Sequence, residues 1–480
     1  MVTRLVAAPK VDFAELRREL DLPTGFPPAA QHEAEVTAAG PLPADPRRVD
    51  RTDLPFVTID PATSRDLDQA VCLQPGDRGG YRVHYAIADV TAFVPVGGPL
   101  ERETWHRGQT VYLPDGKVPL HPQVLSEGTA SLLPDADRLA VLWTIDLDSD
   151  GATRAVSVTR ATVRSRAKLN YPGVQAAADT GTLPEPIALL PTIGRLLIER
   201  GLDRGAINLP IPEQEVEPDN GGYRLVLRGP VAAEEWNAQI SLLTGMSAAQ
   251  IMLAGGIGLL RTMPAPRPEA VASLRVAAAA LGVAWPDGAG LGRVLATLDV
   301  GTPRGAAFVD RAAELMRGAG YAAFDGTPPA DPGHGAVAAP YAHVTAPLRR
   351  LADRYATEVC LALHAGGTVP AWARAALPRL PEVMSRTDRV AGTAERGAVD
   401  LAEAVLLSAR IGEEFDAAVI DVDEGRRDNG RPRGGEIVLD EPPVKARCVG
   451  DLPLGERVRV RLTTADPHRR QVAFALAAPA

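Results

Sequence analysis

The chain has 480 residues, of which 45% are hydrophobic and 23% charged, and its formal net charge is −9. This composition excludes a disordered or disulfide-stapled chain and predicts a soluble globular protein of two or three units. The negative balance also excludes nucleic-acid binding over the whole surface, while leaving room for a local basic channel.

The opening residues MVTRLVAAPK lead into an amphipathic segment at 13–20, unlike the long apolar core of a signal peptide. No run reaches the roughly 18 apolar residues of a membrane span. The expectation is therefore a cytoplasmic protein without membrane contact. Cys72, Cys360 and Cys448 are widely spaced and fit a reducing compartment, as small buried hydrophobes. Lysine occurs only at 10, 117, 168 and 445, so nearly every positive charge is arginine, the better fork for phosphate.

Residues 1–50 read as a helical lead-in ending in the turn-rich PLPADPRRVD. Strands are predicted at 54–60, 81–89 and 139–147, and the alternation of 155–163 completes a hairpin with the last. From 187 to 320 the pattern is mainly helical, with a long buried helix at 234–260 and others at 271–281 and 305–316. Residues 321–340 read as a Gly/Pro loop. A helix starting at Pro347 is predicted to run through Leu363, and another spans 380–410.

The tail changes to short strands at 415–422, 457–462 and 471–476, suited to a small barrel, with a loop at 423–435. In the middle strand Arg457, Arg459 and Arg461 share the outer face. Residues 431–480 carry nine Lys/Arg against six Asp/Glu, a local balance of +3. A solvated strand face and a phosphate-tracking surface both fit.

The densest chemical signal is Thr58-Ile-Asp-Pro-Ala-Thr-Ser-Arg-Asp-Leu-Asp-Gln-Ala70, three carboxylates in nine residues behind an apolar entry. Crowding like charges is costly, and divalent cations between them offset that cost. Asp66 and Asp68, two apart in extended backbone, share a face and can converge with Asp60. Alone, a D-x5-D-x-D spacing fits a solvated acidic turn as well as a metal site.

This run resembles the signature T-I-D-x-x-x-x-[KR]-D-x-D-D-A of the ribonuclease II and ribonuclease R family. The resemblance continues in order through Val83-His84, Ala86 to Val90, Tyr112-Leu-Pro-Asp115, Pro119 to Leu125, Ser131-Leu132, Arg164-Ser165 and Tyr341 to Arg350 with Asp353. It implies an α+β RNB-type catalytic domain at 51–408 and an OB-like RNA-binding barrel at 409–480. It also implies processive 3′–5′ hydrolysis of single-stranded RNA to nucleoside 5′-monophosphates with magnesium, or manganese in its place. By the same resemblance Asp60, Asp66, Asp68 and the residue at Gln69 surround the metal, and Asp68 is the one whose loss abolishes cleavage. The resemblance further implies that Tyr112 clamps terminal bases, that Arg349 grips the phosphate near the scissile bond, and that Glu395 shares that chamber.

Phosphodiester hydrolysis needs positive charge at the equatorial oxygens and an activated water, which these residue types can organise. Arg349 and Asp353, four apart, would share a helix face, either as an ion pair or with Asp353 holding Arg349 for phosphate. Arg350 is a candidate for another phosphate, and His343 either orients the loop or touches RNA.

Three positions depart from the family pattern: Gln69 for a fourth aspartate, Ala346 for serine and Leu351 for tyrosine. Gln69 removes one negative charge and should weaken metal affinity. Two readings follow, an active exoribonuclease and an RNA-binding protein that keeps the channel without turnover. Only the lead-in of about 50 residues precedes the catalytic domain, where family members carry cold-shock barrels, so an open entrance and weak processivity are expected. A monomer is expected.

Overall fold

The computed structural model describes residues 10–219, 221–423 and 433–478. The opening residues 1–9 and most of the loop expected at 423–435 lie outside the described residues.

Two helices, α1 (Ala14–Glu19) and α2 (Pro28–Ala39), precede the main sheet. Its strands are β1 (Val49–Asp50), β2 (Phe56–Ile59), β3 (Gln69–Pro75) and β4 (Tyr81–Ala88), then, after helix α3 (Pro99–Arg107) and the separate hairpin β5 (Val111–Leu113) and β6 (Gly116–Val118), β7 (Asp137–Leu147) and β8 (Thr153–Leu169). The order is β1-β8-β2-β3-β4-β7, and β7 pairs again with β8. The long β8 makes this return: residues 153–164 run antiparallel to β7, and residues 165–169 run parallel to β2.

Alternation along these strands feeds two cores. Val141, Trp143 and Ile145 of β7 face one hydrophobic cluster with Val83, Tyr85 and Ile87 of β4. Leu139, Ala140 and Leu142 face a second cluster with Ala86, Ala88 and Leu348. Each Cys is free and buried, as expected.

The first cluster is covered by helices. After α4 (Tyr171–Asp179) and α5 (Leu190–Arg204), a hairpin of β9 (Glu213–Asp219) and β10 (Gly222–Arg228) leads into α6 (Ala232–Gly255). The helix expected through residue 260 stops at Gly256, which takes the left-handed conformation at φ 69°. Residues 257–260 belong instead to β11 (Ile257–Thr262). Helices α7 (Pro268–Leu281), α8 (Leu291–Ala296) and α9 (Pro303–Ala313) follow, then β12 (Gly320–Asp325), which pairs with β11 and takes the start of the expected loop. Backbone hydrogen bonding between two short segments overrides the turn-like composition there.

Past the two-residue strands β13 (Gly333–His334) and β14 (Ala339–Pro340) comes α10 (Leu351–His364). It starts four residues later than Pro347, because Arg350 is extended at φ −133°, ψ 125° and residues 346–350 form a turn. Helices α11 (Ala371–Ala376) and α12 (Leu380–Leu407) complete the layer.

The C-terminal strands β15 (Glu414–Val422), β16 (Gly434–Leu439), β17 (Lys445–Val449), β18 (Arg457–Asp466) and β19 (Gln471–Leu476) close a barrel in the order β15-β16-β17-β19-β18. The architecture is thus the expected α+β domain with an OB-like barrel. In β18 Val460 and Leu462 are buried and the three arginines exposed, matching the predicted faces.

Candidate active site

Asp60 leaves the end of β2, where its backbone N–H donates to the Leu169 carbonyl at 3.1 Å. The following loop is fastened by Ser131, whose hydroxyl donates to the Arg65 carbonyl at 2.6 Å and accepts the Leu67 N–H at 3.0 Å. These bonds turn the chain back so that the Asp66 charge acts on Asp60. The loop anchor explains why Ser131-Leu132 accompanies the acidic run in sequence.

Asp68 is 3% exposed. Its Oδ1 accepts the Leu348 backbone N–H at 2.7 Å, and its Oδ2 accepts Arg349 Nε at 3.3 Å. Burial pushes its carboxyl up to about 7, against the opposing pull of Arg349 and the Leu348 N–H. Asp60 is raised to about 6, first by burial and also by the nearby Asp66 charge, while Lys168 and Arg349 oppose the shift. Its Oδ2 is shielded from solvent and has no hydrogen-bond partner among the described residues.

Asp66 is held from the other side. Lys117 Nζ lies 2.9 Å from its Oδ1, and the Tyr112 hydroxyl donates to its Oδ2 at 3.3 Å. Tyr112 and Lys117 are cross-strand partners in the β5–β6 hairpin. The Tyr112 ring stays 51% exposed, an open stacking face whose hydroxyl is tied to a site carboxylate. Gln69 Nε2 donates to the Thr345 carbonyl at 2.5 Å, which fastens the acidic loop to the arginine loop.

The arginine loop differs from expectation. Asp353 does not hold Arg349; it holds Arg350, accepting Nε and Nη2 at 2.9 Å each, while its Oδ1 also accepts the Ala346 N–H at 2.6 Å. Because α10 begins only at Leu351, the four-residue spacing does not place Arg349 on its face. Arg349, with a 40% exposed side chain, is oriented by Asp68. Arg350 is committed to a buried carboxylate, which counts against its assignment to phosphate. His343 Nδ1 bonds the Tyr321 hydroxyl at 2.6 Å, and burial holds its imidazole well below the ordinary value, which favours the neutral ring.

Glu395 is exposed on α12, next to Ala394, which packs with Val111 and Leu113 under the Tyr112 hairpin. Arg457, Arg459 and Arg461 do line one barrel face, yet each is paired internally, with Asp440, with Asp416 and Glu414, and with Glu414 respectively. A phosphate strand there would have to exchange these exposed pairs. Asp89 and His84 are structural: Asp89 pairs with Arg48 and Arg160 at 2.9 and 3.1 Å, and the His84 ring bonds Thr144 and Gln74.

Sequence reasoning missed Lys117, Lys168 and the Leu348 N–H. The rarity of lysine was the available signal, since two of the four lysines lie beside these acids.

Magnesium is the implied cofactor, and the residues fit it in chemistry. The donors are hard oxygens, one of which, Asp60 Oδ2, is buried and unpartnered. Among the described residues no three His, Cys, Asp or Glu groups stand at cluster spacing. Lys117, Tyr112, Leu348 and Arg349 already contact the carboxylates Asp66 and Asp68.

The fold and site define a mixed α+β domain that carries a buried carboxylate in contact with an arginine, followed by a closed β-barrel. The RNB domain matches residues 48–363, and the RNase II-type exonuclease C-terminal S1 domain matches residues 413–477. Ribonuclease R of Aquifex aeolicus is 27% identical over 532 residues, covering 99% of this chain and 72% of the relative. Ribonuclease R of Escherichia coli is 30% identical over 360 residues, covering 70% of this chain but 43% of the relative. The fold matches Mycoplasma genitalium RNase R in its apo form with a TM-score of 0.83 at 20% identity, over 96% of this chain and 77% of that one. The same protein in complex with ribose-methylated single-stranded RNA matches with a TM-score of 0.80 at 20% identity, with the same coverage. The chain belongs to the RNB family of ribonucleases.

Proposed function

We propose that the chain is a magnesium-dependent 3′–5′ exoribonuclease that hydrolyses single-stranded RNA to nucleoside 5′-monophosphates. The observation that carries this reading is Asp68, buried and gripped by Leu348 N–H and Arg349 from a loop far along the chain. The divisions that go with it are a lead-in at 1–50, a catalytic domain at 51–408 and an RNA-binding barrel at 409–480, acting as a cytoplasmic monomer.

Asp60, Asp66 and Asp68 would hold the ion, with the Gln69 carbonyl as a neutral donor. When bound, it supplies a water of lowered pKa and offsets phosphate charge; manganese, another oxygen-preferring ion, can replace it. The protein's own residues do the positioning. Asp68 fixes the Nε edge of Arg349, leaving the half-exposed guanidinium to meet the scissile phosphate through its remaining donors. The Tyr112 ring accepts any terminal base by stacking. The bond from Gln69 to Thr345 keeps the two loops in register without a fourth carboxylate.

The alternative, an RNA-binding protein without turnover, draws on Gln69 alone. Against it stand the contact of Asp68 with Arg349 and the influence of Asp66 and Arg349 on Asp60, which keep the hydrolytic residue types within reach of one another. Polarity is tested with RNA blocked at one end by a 3′-phosphorothioate cap: 3′–5′ attack predicts protection by a 3′ cap and none by a 5′ cap. Degradation of the 3′-capped RNA from its free 5′ end would reject the reading.

A further inference from the structure

Lys117 gives the acidic site a cation of its own. Its Nζ lies 2.9 Å from Asp66 Oδ1 and 2.9 Å from Glu127 Oε1, and the side-chain exposures of Lys117, Asp66 and Glu127 are 19%, 11% and 18%. An ammonium shared by two carboxylates out of bulk water does electrostatically what a bridging metal ion does, and at such exposure the interaction is poorly screened. The neighbouring acids reinforce its charge, holding the lysine above its ordinary value although burial alone would lower it.

The lysine is also firmly placed. It sits on β6 opposite Tyr112, whose hydroxyl reaches the other oxygen of Asp66. The hairpin itself is fixed by Val111, Leu113 and Val118, which pack in one cluster with Phe13 and Leu16 of the amino-terminal segment and Ala394 and Ala398 of α12. A second observation points the same way: at Gln69 the site lacks the fourth carboxylate of the family pattern, and the amide nitrogen that stands there is committed to the Thr345 carbonyl. The site thus has one carboxylate fewer than the family pattern and a fixed positive charge at Lys117.

We infer that Lys117 takes the place of a second divalent cation, so that the acidic site binds one metal ion, on the Asp60 side, and Lys117 holds Asp66 and Glu127 together as a positioning residue. This inference rests on the metal-dependent reading above, but it concerns only the number of ions and the residue that limits it.

The test is equilibrium binding of Mn2+ to the full chain, read from the electron-paramagnetic-resonance signal of free Mn2+, with no RNA present. Wild type is expected to bind one ion. Lys117→Met is expected to bind a second, at the released Asp66 and Glu127, and Lys117→Arg, which keeps the charge, is expected to stay at one. Thermal melts give an independent readout: without metal Lys117→Met melts below wild type, and Mn2+ restores it more than it raises wild type. Two ions in wild type, or an unchanged count in a folded Lys117→Met, overturn the inference and leave the enzyme reading intact. If Lys117→Met does not fold, Lys117→Gln, which also removes the charge, is counted in its place, with a second ion expected and an unchanged count overturning the inference. No Mn2+ bound to wild type removes both the inference and the metal-dependent reading.

Discussion

The backbone N–H of Leu348 donates to Oδ1 of Asp68 at 2.7 Å, joining two residues 280 positions apart. With Arg349 on the other oxygen and Gln69 donating to the Thr345 carbonyl, two loops become one rigid unit. Rigid placement is what a hydrolytic site needs, because misplacing a charged group by about 1 Å can cost a hundredfold in rate.

Arg349 should therefore matter more for turnover than for binding. Arg349→Ala is expected to lower kcat by about 10²- to 10³-fold, the size of a lost transition-state donor, with RNA affinity changing far less. Arg349→Lys should recover little, because an ammonium cannot serve Asp68 and phosphate through separate edges of one fork. Single-turnover kinetics beside an RNA-binding titration separate the two effects.

Tyr112 has two functions that two substitutions divide. Tyr112→Ala should weaken RNA binding by about 1–3 kcal/mol, the worth of a stacked base. Tyr112→Phe keeps the ring, loses the hydroxyl contact to Asp66, and should bind RNA almost as wild type does. Fluorescence-anisotropy titrations with a short oligonucleotide measure both.

Asp60 and Asp68, raised by burial to about 6 and about 7, must lose their protons to bind a cation. Metal affinity of the free protein should accordingly rise between pH 5.5 and 7.5, approaching tenfold per unit for each proton released, and level off above that window. A flat affinity across the window would contradict the burial of these groups. Isothermal titration in two buffers of different ionisation enthalpy counts the protons.

Glu403 couples the barrel to the catalytic domain and sets a pH dependence of stability. Its Oε1 accepts Gln214 Nε2 at 2.7 Å and the Lys445 N–H at 3.3 Å, and burial raises it from 4.5 to about 7. The folded state holds this proton more tightly than the unfolded chain. Its stabilising effect is thus complete below pH 4.5 and is lost as pH rises through 7, a difference of about 3 kcal/mol. Glu403→Gln keeps an acceptor at Oε1, so it should be more stable than wild type at pH 8 and no more stable near pH 4.5. Urea unfolding at both pH values checks the sign.

The amino-terminal helix should govern the Tyr112–Lys117 hairpin, which belongs to no larger sheet and would be marginal alone. Leu16, 2% exposed, packs in the hairpin's cluster, and Arg17 reaches Asp115 at 2.6 Å. Leu16→Ala should cost about 2–5 kcal/mol and speed amide exchange at residues 111–118 while leaving β7 protected. Hydrogen-exchange mass spectrometry reads both segments.

Where periodicity was strong the sequence was readable. The helix expected at 380–410 is Leu380–Leu407, and the β7–β8 hairpin and the barrel strands β15, β18 and β19 lie where alternation put them, while β16 and β17 were not foreseen. The β9–β10 hairpin was missed because its strand Glu213–Asp219 is acidic and carries Pro218, and its pairing is supplied by a neighbouring strand. The end of α6 was misread because Ile257, Leu259 and Leu260 are as apolar as the helix before them, and only the left-handed Gly256 separates the two. The acids of the site were legible as a cluster, whereas the partner of Asp353 depended on where α10 starts, which spacing cannot fix. Lys117 is brought in by a hairpin turn, and a backbone donor such as Leu348 leaves no trace in side-chain chemistry.

The most direct measurement is a digest of 3′-tailed single-stranded RNA by wild type and by Asp68→Asn, resolved by product size, with magnesium and with chelator. The account predicts 5′-mononucleotides from wild type with magnesium, none with chelator, and none from an Asp68→Asn protein that still binds the RNA. Intact RNA over millimolar magnesium and manganese, with wild type and Asp68→Asn indistinguishable, would contradict it.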